Sequence, residues 1–158
     1  MNSRFLNQKR CGFSLIELVI VVVIIGIIGA IAIPRLSRGA EGAADSALAG
    51  DLAVMRNAID LYATEHTGTY PTLTDIEDQL TQYTDASGDT SETKTTTHIY
   101  GPYIRKIPNL KVGDEAGGNA FGASATDGVA WVYNENTGTI TPNTGTDEDA
   151  SGTLYTDY

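Results

Sequence analysis

Polar residues almost vanish between Leu18 and Ile33, where twelve of sixteen positions are Leu, Val or Ile. Extended back to Phe13, the apolar stretch is interrupted only by Glu17. A helix over 13–33 is about 31 Å long, enough to cross a bilayer core. Most of its residues are β-branched, which disfavours helix in water. In lipid the backbone must satisfy its own hydrogen bonds, so a membrane helix is predicted. Beyond it, Ala44, Leu48, Leu52, Met55, Ile59 and Tyr62 recur at steps of three and four. Asp45, Asp51, Arg56, Asp60 and Glu65 take the other faces. That is one apolar stripe of a long helix, stopped at Gly68 and followed by Pro71.

The pattern then shortens. Thr74-Asp75-Ile76-Glu77 has a capping-box sequence, and a second helix is predicted over about 75–83. Thr84 to His98 is polar and reads as an exposed loop. Residues 99–104 and 107–108 are apolar but broken by proline, which suits an edge segment packed on the domain. Val129–Tyr133 and Thr139–Thr141, separated by Asn134–Gly138, predict a β-hairpin. Trp131 is expected to pack on the long helix; an exposed binding tryptophan is the minority reading.

Composition narrows the function classes. Twenty acidic residues stand against ten basic ones, a formal charge of −10, with a pI near 4.4. Nucleic-acid binding needs clustered Lys and Arg, so no nucleic-acid partner is expected. The 158 residues fit one soluble domain besides the apolar segment, and one Cys makes no internal disulfide. Mean hydropathy of −0.13 conceals the uneven placement of the apolar residues.

Glu17 tests the membrane reading. A carboxylate at mid-bilayer costs roughly 2.5–3.5 kcal/mol or more. The twelve aliphatic residues return about 4–7 kcal/mol, so the segment inserts. A charge kept there calls for a partner; a Glu at the headgroup boundary is the blander alternative. Upstream, Arg4, Lys9 and Arg10 form a basic stretch without acids, ending in Cys11-Gly12. A secretory signal has its apolar region before the cut, not after it. Three basic residues before the span and two, Arg35 and Arg38, after it favour a cytoplasmic N-terminus. Pro34 has no N–H for the Ala30 carbonyl, so a helix kink is expected there, either a plain kink or a hinge.

The run Gly12-Phe13-Ser14-Leu15-Ile16-Glu17-Leu18, then an apolar helix ending Ala32-Ile33-Pro34, resembles the N-terminus of type IV pilins and type II secretion pseudopilins. The resemblance covers about residues 1–66. It implies an α+β, pilin-like fold: a long N-terminal membrane and assembly helix packed on a small antiparallel β-sheet. It implies a cleaved leader over 1–12, a transmembrane and filament-core helix over 13–37, and a soluble periplasmic domain over 38–158. Prepilin peptidase would cut between Gly12 and Phe13 and methylate the new amine of Phe13. Cys11 leaves with the leader. Glu17 would meet the N-terminal amine of a neighbouring subunit, where each buried charge cancels the other's cost.

By the same resemblance the partners are further copies of the chain in a helical homopolymer, minor pseudopilins, the prepilin peptidase and an inner-membrane assembly platform. The expected location is the bacterial inner membrane, single-pass, and then a periplasmic or extracellular filament. A divergent major pseudopilin that drives protein export is the first reading. The compact soluble part and the lack of a C-terminal Cys pair favour it, although the Asp-Pro-Trp-Gly-type stretch of typical major pseudopilins is missing. A surface type IV pilin, for adhesion, motility or DNA uptake, is the alternative. A non-polymerising membrane-anchored binding protein is a minor one.

No enzyme chemistry stands out. The chain has no G-x-S-x-G elbow, phosphate loop or H-E-x-x-H motif. His66 and His98 lie in polar contexts and are expected at the surface. Thr90–Thr97 is a compositional candidate for sugar attachment. Resemblance to major pseudopilins suggests Ca²⁺, from Asp114 and Glu115 with the stretch to Asp127, or from Asp147, Glu148 and Asp149. Solvated acidic loops are the favoured reading of both sets, and no ligand spacing transfers to them.

Overall fold

The computed structural model describes residues 13–158, excepting the side chains of 33–38. Two units are distinguished, one ending at Gly39 and the other running from Ala40 to Tyr158. Helix α1, Leu15–Glu65, contributes to both. Its first part, Leu15–Ala32, has a mean hydropathy of 3.1 and buries none of its residues. That length and composition suffice to cross a membrane.

The second unit is built on the predicted stripe. Leu48, Leu52, Met55, Ile59 and Tyr62 are all buried along α1. They share a core with Ile76, Leu80, Ile107, Leu110, Trp131, Tyr133 and Ile140. Each large side chain withdrawn from water contributes about 1.5–3 kcal/mol, which is the chief cohesion of a unit without disulfides. Helix α2, Ile76–Thr81, is shorter than predicted. Its expected capping box does not form: Asp75 is the N-cap but makes no side-chain cap bond. Instead the Thr72 hydroxyl donates to Asp75 Oδ2 at 3.1 Å. Gln82 turns extended, and β1, Tyr83–Thr84, pairs antiparallel with β2, Thr90–Ser91, where the end of the helix and an exposed loop were expected.

Strands β3, Phe121–Gly122, β4, Trp131–Asn134, and β5, Thr139–Pro142, form a second sheet. β4 and β5 are the predicted antiparallel hairpin, with Trp131 opposite Pro142 and Tyr133 opposite Ile140. Alternation sends Trp131, Tyr133 and Ile140 into the core. β3 adds to β4 in parallel, which the sequence pattern did not announce. At the hairpin loop, Gly138 has φ +68 and lies so close to Tyr70 that a Cβ would collide with the ring. Only glycine meets both demands. Trp131 is fully buried, as expected, and its indole N–H donates to the Pro108 carbonyl at 3.0 Å.

The chain closes back onto α1. After the 3₁₀ turn Tyr155–Asp157, Arg56 donates to the carbonyls of Tyr158 at 2.5 Å and Ile140 at 3.2 Å. These bonds tie the end of the chain and the hairpin to one position of the long helix.

Candidate functional site

Phe13 and Glu17, the residues expected to serve processing and assembly, lie at the start of α1. Ser14 precedes the helix, and the Leu18 N–H donates to its carbonyl at 3.2 Å. Glu17, three positions on, accepts the Ser14 backbone N–H through Oε2 at 2.8 Å. This is the reciprocal half of a capping box: an orphan N–H at a helix start is satisfied by a carboxylate, which also complements the helix dipole. Ser14-x-x-Glu17 is a readable capping signature that sequence reasoning passed over. Glu17 Oε1 takes no hydrogen bond among the described residues and is open to a second donor.

Around that carboxylate everything is apolar and uncovered. Phe13 and Leu15 are each 79% exposed, and the aliphatic residues from Ile16 to Ile31 are all exposed. So continuous an apolar surface is not stable in water and demands lipid or protein. Gly12 and the rest of the proposed leader lie outside the described residues. α1 stays helical through Pro34. The Pro34 side chain lies outside the described set, and so does the kink expected of it.

Residues 7–33 match the family model of the prokaryotic N-terminal methylation motif. That match spans the Gly12-Phe13 junction, Glu17 and the apolar helix together. The match covers the N-terminal segment alone and indicates a type IV pilin-like or pseudopilin-like N-terminus. The chain's long N-terminal helix followed by small sheets fits the pilin fold. No curated protein and no solved structure is significantly similar to the chain. Proteins of this type are structural subunits, and the motif implies polymerisation and prepilin peptidase processing in general.

The acidic segments of this pilin-like chain fall into two different environments. Asp114, Glu115, Asp127 and Asp147 line one cavity of about 430 Å³. Glu115 Oε1 is engaged by the Gly128 N–H at 3.0 Å. Among the described residues, no group of three or more His, Cys, Asp or Glu is gathered closely enough to hold a metal ion. The carboxylates share a cavity without forming a coordination shell.

Asp149 belongs instead to a closed turn. Its Oδ1 accepts the Ser151 N–H at 2.8 Å, the Ser151 hydroxyl at 2.7 Å and the Thr153 N–H at 2.8 Å. Its Oδ2 accepts the Tyr158 hydroxyl at 2.6 Å. Those donors, the Tyr158 phenol foremost, hold its carboxyl well below the usual carboxylate range. The same bond, with some burial, pushes Tyr158 up to about 12. Part of the expected solvated tail is thus a built turn.

His66 departs from its expected surface position: it is 4% exposed. Its ring stacks on Tyr62 with centroids 3.8 Å apart. Nδ1 lies 2.8 Å from the Tyr62 carbonyl and Nε2 lies 2.9 Å from the Asp85 carbonyl. Its spacing held the clue, since His66 stands four residues after Tyr62 and extends the buried stripe by one turn. His98 is only partly buried, in an exposed turn, with Nδ1 2.9 Å from Thr95 Oγ1.

Proposed function

We propose that the chain is a structural subunit of a type II secretion pseudopilus. Prepilin peptidase cuts its leader between Gly12 and Phe13, and the mature subunit waits in the inner membrane with its soluble unit in the periplasm. Extraction into the filament moves the apolar helix from lipid into a bundle of its own kind, and the growing polymer drives protein export. The observation that supports this most is the wholly uncovered apolar helix with Glu17 near its start. Glu17 already caps its own helix through one oxygen. The other is placed to accept the Phe13 amine of a neighbouring subunit, which neutralises both charges in an apolar bundle and fixes register.

The preference for a secretion pseudopilus over a surface pilus rests on the soluble unit. Its C-terminal end is held to α1 by Arg56 rather than by a disulfide, within a compact domain. Deleting the gene in its native host and restoring it tests the assignment. Loss of export of folded periplasmic proteins, with surface pili intact, is expected. Intact export with loss of surface filaments would replace this reading by that of a type IV pilin.

A further inference from the structure

Positive charge is scarce in the soluble unit, and much of it is gathered at Arg105, Lys106 and Lys111. Arg105 and Lys106 are exposed, and neither makes an ion pair or side-chain hydrogen bond among the described residues. They rim a groove of about 400 Å³ whose lining includes Val54, Ile104 and Asp51. Val54 is 54% exposed, an uncovered apolar side chain on α1. Asp51 Oδ2 is buried without a hydrogen-bond partner, and Lys111 Nζ stands 3.9 Å away. The two form an ion pair without a hydrogen bond, and both side chains are partly exposed.

The acidic cavity has the opposite character. Asp114, Asp127 and Asp147 are exposed there, and their carboxylates have no partner among the described residues. Thr144, 5% exposed, lines the same cavity, and its Oγ1 also lacks a hydrogen-bond partner. Buried polar atoms normally find partners, and two of the three exceptions among the described residues line these two concavities.

We propose that the basic-rimmed groove of one copy docks on the acidic cavity of the next copy; this rests on reading the chain as a polymerising subunit. The proposed contact pairs one groove with one cavity and is heterologous, since the two patches share no lining residue and are used once each per contact. Each copy joined in this way keeps one groove or one cavity free, and association propagates instead of closing on a symmetric dimer. The exposed Val54 supplies apolar contact. The unlike charges orient the copies and reject groove-to-groove and cavity-to-cavity encounters.

Charge reversal in the full-length chain tests the contact. Arg105→Glu with Lys106→Glu should lower filament yield about tenfold or more, because like charges then face each other. Both side chains are exposed, so the melting temperature of the detergent-solubilised chain should not move. Asp114→Lys with Asp127→Lys should show the same defect alone, and combining all four changes should restore filaments. Failure of the peptidase-processed wild-type chain to polymerise in its host would overturn the subunit reading itself. If wild-type filaments form, normal filaments from the Arg105→Glu, Lys106→Glu chain overturn the groove contact. A defect that the acidic reversal does not restore also overturns it, and assigns the groove to a different partner.

Discussion

Tyr155 donates its phenol proton to Asp45 Oδ1 at 2.6 Å, joining positions 110 residues apart. Asp45 Oδ2 accepts the Ala150 N–H at 3.2 Å as well, so one carboxylate on α1 receives two separate parts of the C-terminal turn. Tyr155→Phe should destabilise the soluble unit by about 1.5–3 kcal/mol, the usual range for a hydrogen bond to a charged group. Asp45→Ala should cost more, since it also strands the Ala150 N–H. Thermal melts of both variants measure this, and wild-type melting of Asp45→Ala would show that the turn is not held from α1.

Leu52 is 1% exposed, whereas Val54, two positions on, is half-exposed on the same helix. Leu52→Asp places an unpaired charge in the core and should cost about 3–5 kcal/mol, a large share of a total stability of about 5–15 kcal/mol. Val54→Asp should stay within about 0.5 kcal/mol of the wild type. Chemical denaturation of the full-length chain in detergent distinguishes them. Equal midpoints would mean that the buried stripe has been placed wrongly.

Stability should depend on pH at both extremes, with opposite signs. Asp149 is ionised more readily folded than unfolded, so its contribution is complete above about pH 4 and is lost as pH falls further. Tyr103, Tyr133, Tyr155 and Tyr158 are all held above the ordinary phenol value. Burial leads for the first three, and the bond to Asp149 leads for Tyr158. Their contributions are complete below about pH 10 and are lost as pH rises through the folded-state values. Burial raises Tyr62 as well, so ultraviolet titration should show five of the eight tyrosines ionising later in the native chain than in denaturant. A single native transition near pH 10 would contradict the burial of these phenols and the bond of Tyr158 to Asp149.

The proposed processing and assembly roles can be tested separately at Gly12 and Glu17. A bulky residue at Gly12 should block cleavage, and mass spectrometry of the wild-type mature chain should find an N-terminal, methylated Phe13. An N-terminus at Met1 in assembled filaments would refute the proposed cut. Glu17→Val removes the span's one charge, so membrane insertion should persist while filament yield falls. Normal filaments from this variant would leave Glu17 with only its local capping role.

Calcium has a defined place to act if it acts at all. The cavity of Asp114, Glu115, Asp127 and Asp147 brings the two acidic stretches together, but no shell of three ligands is formed there. Calcium takes six to eight oxygens. Equal melting temperatures are expected in millimolar Ca²⁺ and in chelator. A rise with Ca²⁺ that Asp127→Asn abolishes would instead put the ion in that cavity.

Much was legible before any coordinates. The apolar run, Glu17 and the Gly-Phe junction are contiguous features, and the stripe from Leu48 to Tyr62 follows from helical periodicity alone. The β4–β5 hairpin announced itself by alternation around a turn at Gly138. Each of these signals is local, written within one or two turns or strands of the residues it concerns. What the sequence left undecided depends on partners far away along the chain. His66 looked like a surface residue because its neighbours are polar, yet Asp85 covers it. Asp149 looked like part of an acidic tail, yet Tyr158 and two residues of its own turn enclose it. The pairing of Asp45 with Tyr155, and the meeting of Asp114 with Asp147 in one cavity, have no periodicity to betray them. Periodicity fixes which face of an element turns inward, because burial there is set by the element's own geometry. Which charged and polar groups meet is settled only when the elements pack, because a hydrogen bond needs its two atoms within about 3 Å regardless of their distance along the chain.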